Sequence, residues 1–296
     1  MSTSRILSAI VAIILALGMI LLGGWFFTLS FSVIVYLGLQ EYFELTRTKG
    51  IAPASRTTIL ASIVLLILAT IAPSLADAAM PVAGTIICFY LLFQPKFATI
   101  ADIATSILGL FYGGYLPSYW VRLRALGQSG PIAPFQDGWL QSVTNLEGVS
   151  FSLPDLPQGL AITLITFACI WAADIGAYVF GKLFGKTRLS DISPKKTVEG
   201  ALFGIVGSML VAIAGAWQLN FAFWPMTGAA LGLLIGVASL LGDLTESMMK
   251  RDAGVKDSGQ LIPGHGGILD RTDSYVFTAP LVYYFMTLIV PLLNAI

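Results

Sequence analysis

Acidic and basic side chains are concentrated in residues 247–273 of a chain that is 56% hydrophobic. The segment reads SMMKRDAGVKDSGQLIPGHGGILDRTD and contains the only histidine of the chain. Its carboxylates are suited to hard cations such as Mg²⁺, and its ammonium and guanidinium groups are suited to phosphate. So apolar a chain does not need such a segment in order to fold. We therefore expect residues 247–273 to belong to an active site.

The same chemistry begins just before this segment, on a predicted helix. Asp243, Ser247 and Lys250 follow one another at i, i+4 and i+7, which places the three side chains on one helix face. A carboxylate, a hydroxyl and an ammonium in this order suit a complex of a metal ion with a nucleotide. The alternative is an Asp243–Lys250 ion pair that only closes the end of the helix.

A glycine-rich loop follows this helix, with glycines at positions 254, 259, 264, 266 and 267. Glycine lets backbone N–H groups approach an anion closely. We expect His265 in this loop to donate to a phosphate or to organise the loop, with a role as general base as a further alternative. Mg²⁺ takes one or two carboxylates together with phosphates and waters. We therefore expect Asp243 and Asp270 to be its ligands, with Asp273 in reserve.

A second polar region adjoins the apolar segment that contains Asp174. A carboxylate inside such a segment is costly, so a functional role is favoured over a role in helix packing. Further along, Ser193 and Pro194 predict the start of a helix, whose free N–H groups would join Lys195 and Lys196 in binding phosphate. The alternative for the two lysines is that they only orient the chain in a membrane.

The polar regions contain several spaced motifs. They are Ser247-x-x-Lys250-Arg251, Lys256-Asp257-x-Gly259, Pro263-x-His265-Gly266-Gly267-x-x-Asp270-Arg271-x-Asp273, Asp-x-x-Ala-Tyr-x-x-Gly at 174–181 and Ser-Pro-Lys-Lys-Thr-x-Glu-Gly at 193–200. Together they resemble the phosphatidate cytidylyltransferases, also called CDP-diacylglycerol synthases. The resemblance is sharpest over residues 171–273, and the N-terminal half matches mainly as a series of membrane spans.

This resemblance implies an enzyme that transfers the cytidylyl group of CTP to phosphatidate, giving CDP-diacylglycerol and pyrophosphate for phospholipid biosynthesis. It agrees with Mg²⁺ as the cofactor, and it suggests a homodimer. The residues that we expect to be catalytic are Asp243, Ser247, Lys250 and Asp270. The residues that we expect to bind the substrates are Asp174, Ser193, Lys195, Lys196, Arg251, Lys256, His265, Gly266, Gly267 and Arg271.

Apolar runs of about 20 residues, long enough to cross a bilayer, recur along the chain. The mean hydropathy is +0.85, and only 11% of the residues are charged. We therefore predict an all-α polytopic membrane protein with about nine transmembrane helices. The predicted spans are 5–23, 26–46, 57–76, 79–95, 100–120, 158–181, 198–218, 223–247 and 275–295.

The positions of the basic residues predict the orientation of the chain. With the N-terminus in the cytoplasm, all of the 16 lysines and arginines except Arg122 and Arg124 fall on the cytoplasmic side, as the positive-inside rule requires. We therefore expect a multi-pass protein of the cell (inner) membrane with a cytoplasmic active site. In this prediction, residues 1–125 form about five N-terminal spans, 126–157 form an extracytoplasmic loop, and 158–296 form the catalytic region.

Other activities are less favoured by the sequence. A CTP-dependent kinase of a polyprenol or phytol would need the same nucleotide and metal, but the match over 247–273 favours the cytidylyltransferases. A transporter would have charges near the middle of its spans, whereas here they gather at one face of the membrane. The two-Asp-Gly helix pattern of CDP-alcohol phosphotransferases is absent. No basic tail or alternation of aromatic and basic residues indicates a nucleic-acid partner.

Overall fold

The protein is described by a computed structural model that covers residues 3–95, 97–127, 153–262 and 266–295. Within these ranges the chain forms helices, turns and two isolated bridges, without a β-strand. The prediction of an all-α polytopic fold is therefore confirmed. The N-terminal helices are α1 (Thr3–Leu22), α2 (Gly24–Thr48), α3 (Ser55–Ile71), α4 (Pro73–Leu92), α5 (Ile100–Leu110) and α6 (Leu116–Arg124).

The C-terminal helices follow the predicted extracytoplasmic loop, most of which lies outside the described residues. They are α7 (Gln158–Phe184), α8 (Val198–Gln218), α9 (Trp224–Asp252), α10 (Leu269–Val276), α11 (Thr278–Tyr284) and α12 (Val290–Asn294). Helix α9 continues beyond the predicted span 223–247, so Lys250 and Arg251 are part of the helix. Asp270, Arg271 and Asp273 likewise lie on α10.

Two π-helical turns interrupt helical segments, and each is closely followed by a proline. Phe111–Tyr115 joins α5 to α6, whose first turn contains Pro117. Phe285–Ile289 joins α11 to α12, whose first turn contains Pro291. Because proline has no N–H to donate and its ring clashes with the preceding turn, a wider turn accommodates it without breaking the helix.

Helices of the length needed to cross a bilayer recur through the described ranges. Six segments there are long and apolar enough to span a membrane, namely Gly24–Thr48, Pro73–Leu92, Gln158–Phe184, Val198–Gln218, Trp224–Asp252 and Leu269–Asn294. Ile10–Leu22 and α3 are shorter apolar helices. Apolar side chains such as Leu92 and Leu210 are 70% and 63% exposed, as expected for helix surfaces that face lipid.

Close contacts divide the described residues into two compact units. Unit 1 contains residues up to 125 together with 249–262 and 266–272. Unit 2 contains residues 126–127, 153–248 and 273–295. Each unit therefore holds some of the residues that the sequence predicts to be functional.

Three glycines in unit 2 allow α9 to approach the backbone of α8. Gly228, Gly232 and Gly236 are four residues apart and so lie on one face of α9. A Cβ atom on Gly232 would overlap the Cα atom of Met209 on α8. Small residues let helices in a membrane come into close van der Waals contact, so this glycine stripe stabilises the α8–α9 pair.

Gly232→Leu is expected to destabilise the protein, because the new side chain would push against the α8 backbone. Overpacking of this kind costs about 1–3 kcal/mol. We expect a lower midpoint of thermal unfolding for the detergent-solubilised protein. Gly18→Leu on α1 is the matched control, since a Cβ atom there has no neighbour within 4 Å. Equal midpoints for the two variants would contradict the close α8–α9 packing.

Candidate active site

An ion pair between Lys196 and Asp243 is the centre of the polar region in unit 2. The two side chains are 25% and 32% exposed, so a soluble ligand can reach both. One helical turn further along α9, Ser247 is buried and donates from Oγ to Asp243 Oδ1 at 3.3 Å. The structure therefore brings together residues from both of the polar regions that the sequence predicts.

The loop that carries Lys196 is held in shape by hydrogen bonds on both sides. The N–H of Val198 donates to Thr187 O at 2.9 Å, which closes the loop. The carboxylate of Glu199 accepts from the N–H groups of Lys186 at 3.1 Å and Thr187 at 3.2 Å. These contacts give Lys196 a defined backbone position from which to reach Asp243.

The start of α8 differs from the prediction. The helix begins at Val198, and Thr197 is its N-cap, with a side chain that accepts from Gly200 N at 3.1 Å. Ser193 begins a turn instead, because its carbonyl accepts from Lys196 N at 3.0 Å. Serine and threonine are both favoured N-caps, so the sequence pattern alone does not distinguish them. Lys196 therefore directly precedes the cap rather than lying within the first helical turn.

Three other acidic side chains of unit 2 lie near Asp273. Asp273 is 9% exposed, and Asp243, Glu246 and Asp174 are all close enough to act on its charge. Glu246 is completely buried, and Asp273 Oδ1 accepts from Ser274 N at 2.7 Å. Negative charge gathered in an apolar protein is costly unless cations or protons balance it.

The donor atoms of unit 2 fit Mg²⁺ by type, because this ion prefers oxygen ligands. Within the described ranges, no group of three or more His, Cys, Asp or Glu side chains is arranged to hold a metal by itself. Protein sites for Mg²⁺ commonly supply one or two carboxylates and leave the other positions to phosphates and waters. The carboxylates of unit 2 therefore suit a metal that arrives with a nucleotide.

Asp270 is the centre of the polar region in unit 1. Its Oδ1 lies 2.6 Å from Lys250 Nζ, and the two side chains are only 7% and 10% exposed. Its Oδ2 accepts from Ser258 N at 2.9 Å and from Gly267 N at 2.8 Å, and it lies 2.9 Å from Ser258 Oγ. Asp270 thus connects the buried Lys250 ammonium with Ser258 and Gly267 of the glycine-rich loop.

Backbone N–H groups at the end of the glycine-rich loop donate to carboxylates of the chain. The prediction that N–H groups of this loop bind an anionic ligand stays a prediction, and the N–H of Gly267 donates to Asp270. The next two N–H groups, of Ile268 and Leu269, donate to Glu41 at 2.9 and 2.8 Å. The anions that these N–H groups bind in this structure are carboxylates of the chain itself.

Glu41 is a site residue that the sequence analysis missed. It lies on α2 and is buried, and its carboxylate also lies 3.0 Å from Ser258 Oγ. An acid inside an apolar helix is itself a signal of function, the same signal that drew attention to Asp174. Its partners are more than 200 residues away in sequence, so no local pattern connects it with the loop.

Five of the other predicted substrate-binding residues lie at the surface, Gly266 is half-buried, and His265 lies outside the described ranges. Lys195, Arg251, Lys256, Arg271 and Asp174 are exposed. Gly266 has a φ of +82°, a conformation that favours glycine. His265 lies outside the described residues.

Comparison with known proteins shows the family of this chain. The model of the family described as "Cytidylyltransferase family" matches residues 3–289, nearly the whole chain. The chain belongs to the cytidylyltransferase family. A relative from Synechocystis sp., named phosphatidate cytidylyltransferase, is 62% identical over 298 residues, which cover 99% of each chain.

Other members of the cytidylyltransferase family are similar over different lengths. Phosphatidate cytidylyltransferase 4, chloroplastic, from Arabidopsis thaliana is 41% identical over 90% of this chain and 68% of its own length. A Staphylococcus aureus phosphatidate cytidylyltransferase is 44% identical over 138 residues, or 46% of this chain and 52% of its own. The likeness to the cyanobacterial member covers 99% of this chain and therefore extends through the N-terminal helices.

Proposed function

We propose that this protein transfers the cytidylyl group of CTP to phosphatidate. The 62% identity to a phosphatidate cytidylyltransferase over 99% of both chains carries this conclusion. An oxygen of the phosphatidate phosphate attacks the α-phosphorus of CTP and forms a new P–O bond. The bond from the α-phosphorus to the β-phosphate oxygen breaks, and pyrophosphate leaves with the electron pair. The products are CDP-diacylglycerol and pyrophosphate.

The main obstacle to this reaction is the repulsion between two polyanions. Ammonium groups placed where negative charge develops lower that barrier, and exact positioning supplies much of the remainder. Lys196 in unit 2 is partly exposed beside Asp243 and can bind a phosphate. Lys250 in unit 1 is held by Asp270 in a nearly buried position. We assign both lysines to charge stabilisation, with Ser247 holding the Asp243 carboxylate in place.

Mg²⁺ is the cofactor that this proposal includes, and it would neutralise part of the triphosphate charge. Asp243 and Asp273 in unit 2 are carboxylates of the type that such an ion prefers. The sequence-based prediction that Asp243 and Asp270 share the ion stays a prediction. So do the roles of Ser193, Lys195, Arg251, Lys256, His265, Gly266, Gly267 and Arg271 in substrate binding, and the homodimer.

Lys196→Ala is expected to lower kcat/KM for CTP by about a hundredfold, because the change removes a cation from the proposed phosphate site. Lys186→Ala is the matched control in the same loop, since its side chain is exposed and its backbone N–H contact to Glu199 survives the change. We expect the control to retain activity within about twofold. Equal, modest losses in steady-state assays would mean that both lysines serve membrane orientation only.

We also propose that the N-terminus and both polar regions face the cytoplasm from the cell membrane, as the distribution of basic residues supports. Single cysteines replacing the exposed Lys186 and Lys256 test this orientation after Cys88 and Cys169 have been replaced. We expect an impermeant thiol reagent to label both positions only after the cells are permeabilised. Strong labelling of either position in intact cells would contradict the orientation.

The choice of acceptor lipid tests the proposed function. Purified protein in detergent micelles should release pyrophosphate from CTP when phosphatidate is added, and diacylglycerol or a polyprenol should not replace it. A CTP-dependent lipid kinase would instead use the polyprenol and release CDP. Activity with a polyprenol and none with phosphatidate would overturn the proposal.

A further inference from the structure

Glu41 is a buried acid to which the proposed reaction assigns no role. Both of its carboxylate oxygens accept hydrogen bonds from the segment that follows the glycine-rich loop. Oε1 accepts from Ile268 N at 2.9 Å, and Oε2 accepts from Leu269 N at 2.8 Å and lies 3.0 Å from Ser258 Oγ. The carboxylate therefore lies at the N-terminus of α10, where the exposed N–H groups and the helix dipole favour a negative charge.

Two glycines of the loop fit closely around this carboxylate. A Cβ atom on Gly267 would overlap Glu41 Oε2, and one on Gly259 would lie 2.7 Å from Oε1. A side chain at either position would thus displace Glu41 or the loop backbone. The need for glycine at these positions follows from their contact with Glu41, in addition to any contact with a ligand.

Hydrogen bonds connect Glu41 to the Lys250–Asp270 pair within unit 1. Ser258 Oγ lies within hydrogen-bonding distance of Glu41 Oε2 at 3.0 Å and of Asp270 Oδ2 at 2.9 Å. Asp270 in turn holds Lys250 at 2.6 Å. We propose that Glu41 is a positioning residue, which fixes the glycine-rich loop and thereby places Asp270 and Lys250 for the transfer reaction. The catalytic part of this inference rests on the proposed function.

Glu41→Gln tests the inference with little change in shape. Each carboxylate oxygen accepts from a different backbone N–H, so an amide in either orientation places its NH₂ group against a donor. Glu44→Gln is the matched control, because Glu44 lies on the same helix and is exposed. The two variants and the wild type are compared as full-length protein in detergent, by hydrogen–deuterium exchange and by steady-state kinetics.

We expect faster exchange in peptides from the segment 258–269 of Glu41→Gln, with exchange elsewhere and the midpoint of thermal unfolding close to those of Glu44→Gln. We expect kcat to fall about 10- to 100-fold, the range seen when a group that orients a functional side chain is lost. Adding Ser258→Ala to Glu41→Gln should reduce kcat little further, because both changes break the same connection. Exchange and kcat equal to those of Glu44→Gln would overturn the inference.

Two further outcomes remain decisive. If Glu41→Gln does not accumulate in membranes, Ser258→Ala carries the test, and unchanged exchange and kcat in that variant would reject the connection from Glu41 to Asp270 on which the positioning role depends. If the wild type does not transfer the cytidylyl group, the proposed function fails. The exchange comparison still decides in that case whether Glu41 holds the loop.

Discussion

Asp270→Asn is expected to lower kcat by at least about a hundredfold, equivalent to about 2.7 kcal/mol in the activation free energy. The carboxylate receives the Lys250 ammonium on one oxygen and the backbone N–H groups of Ser258 and Gly267 on the other, which also lies 2.9 Å from Ser258 Oγ. An amide cannot balance the ammonium charge, and its NH₂ group would face a donor. Breaking a buried pair by neutralising one partner costs about 3–5 kcal/mol, enough to displace Lys250.

The loss of activity must be separated from a loss of folding. Asp252→Asn is the control, since the Asp252–Lys49 pair is exposed on both sides and should contribute little. The double variant Lys250→Met/Asp270→Asn removes both charges, so it should recover thermal stability without recovering activity. An active double variant would show that the pair is only structural.

Asp243→Asn is expected to reduce activity by a similar factor, at least about a hundredfold. The substitution keeps the shape and one oxygen but removes the charge that pairs with Lys196 and that we propose for Mg²⁺ binding. Membrane insertion should be unaffected, because neutralising an acid does not oppose insertion. The measurement is turnover as a function of Mg²⁺ concentration, and partial recovery at high Mg²⁺ would support direct ligation.

Asp191→Asn provides the matched control for Asp243→Asn in the same unit. Asp191 pairs with Arg188 on the surface, with its side chain 96% exposed, so its neutralisation should change turnover by no more than about twofold. Near-normal turnover of Asp243→Asn with an unchanged Mg²⁺ requirement would remove Asp243 from the site. Its ion pair with Lys196 would then be a structural contact.

The helices could be predicted because a bilayer requires about 20 apolar residues for each span, and such runs are visible directly in the sequence. The irregularities of the helices could not be predicted. The π-helical turn Phe111–Tyr115 depends on how the chain accommodates Pro117, and two equally good N-cap candidates precede α8. A helix boundary that is set by one hydrogen bond, such as the bond from the Gly200 N–H to the Thr197 hydroxyl, depends on the folded backbone.

The candidate residues could be identified where charge interrupts an apolar segment, as at Asp174, Asp243 and the motif after Ser247. The pairing of these charges could not be predicted, because it depends on which helices become neighbours. The contacts of Lys196 with Asp243 and of Ser258 with Glu41 join residues far apart in the chain. A list of polar residues therefore follows from the sequence, whereas the partner of each residue requires the fold.

The destination of each phosphate of CTP tests the central claim most directly. Purified protein is incubated with Mg²⁺, phosphatidate and CTP labelled at either the α- or the γ-phosphate, and the lipid and aqueous products are separated. Cytidylyl transfer predicts that the α-label enters the lipid and that the γ-label is recovered in pyrophosphate. A γ-label in the lipid, with the α-label recovered in CDP, would contradict the account.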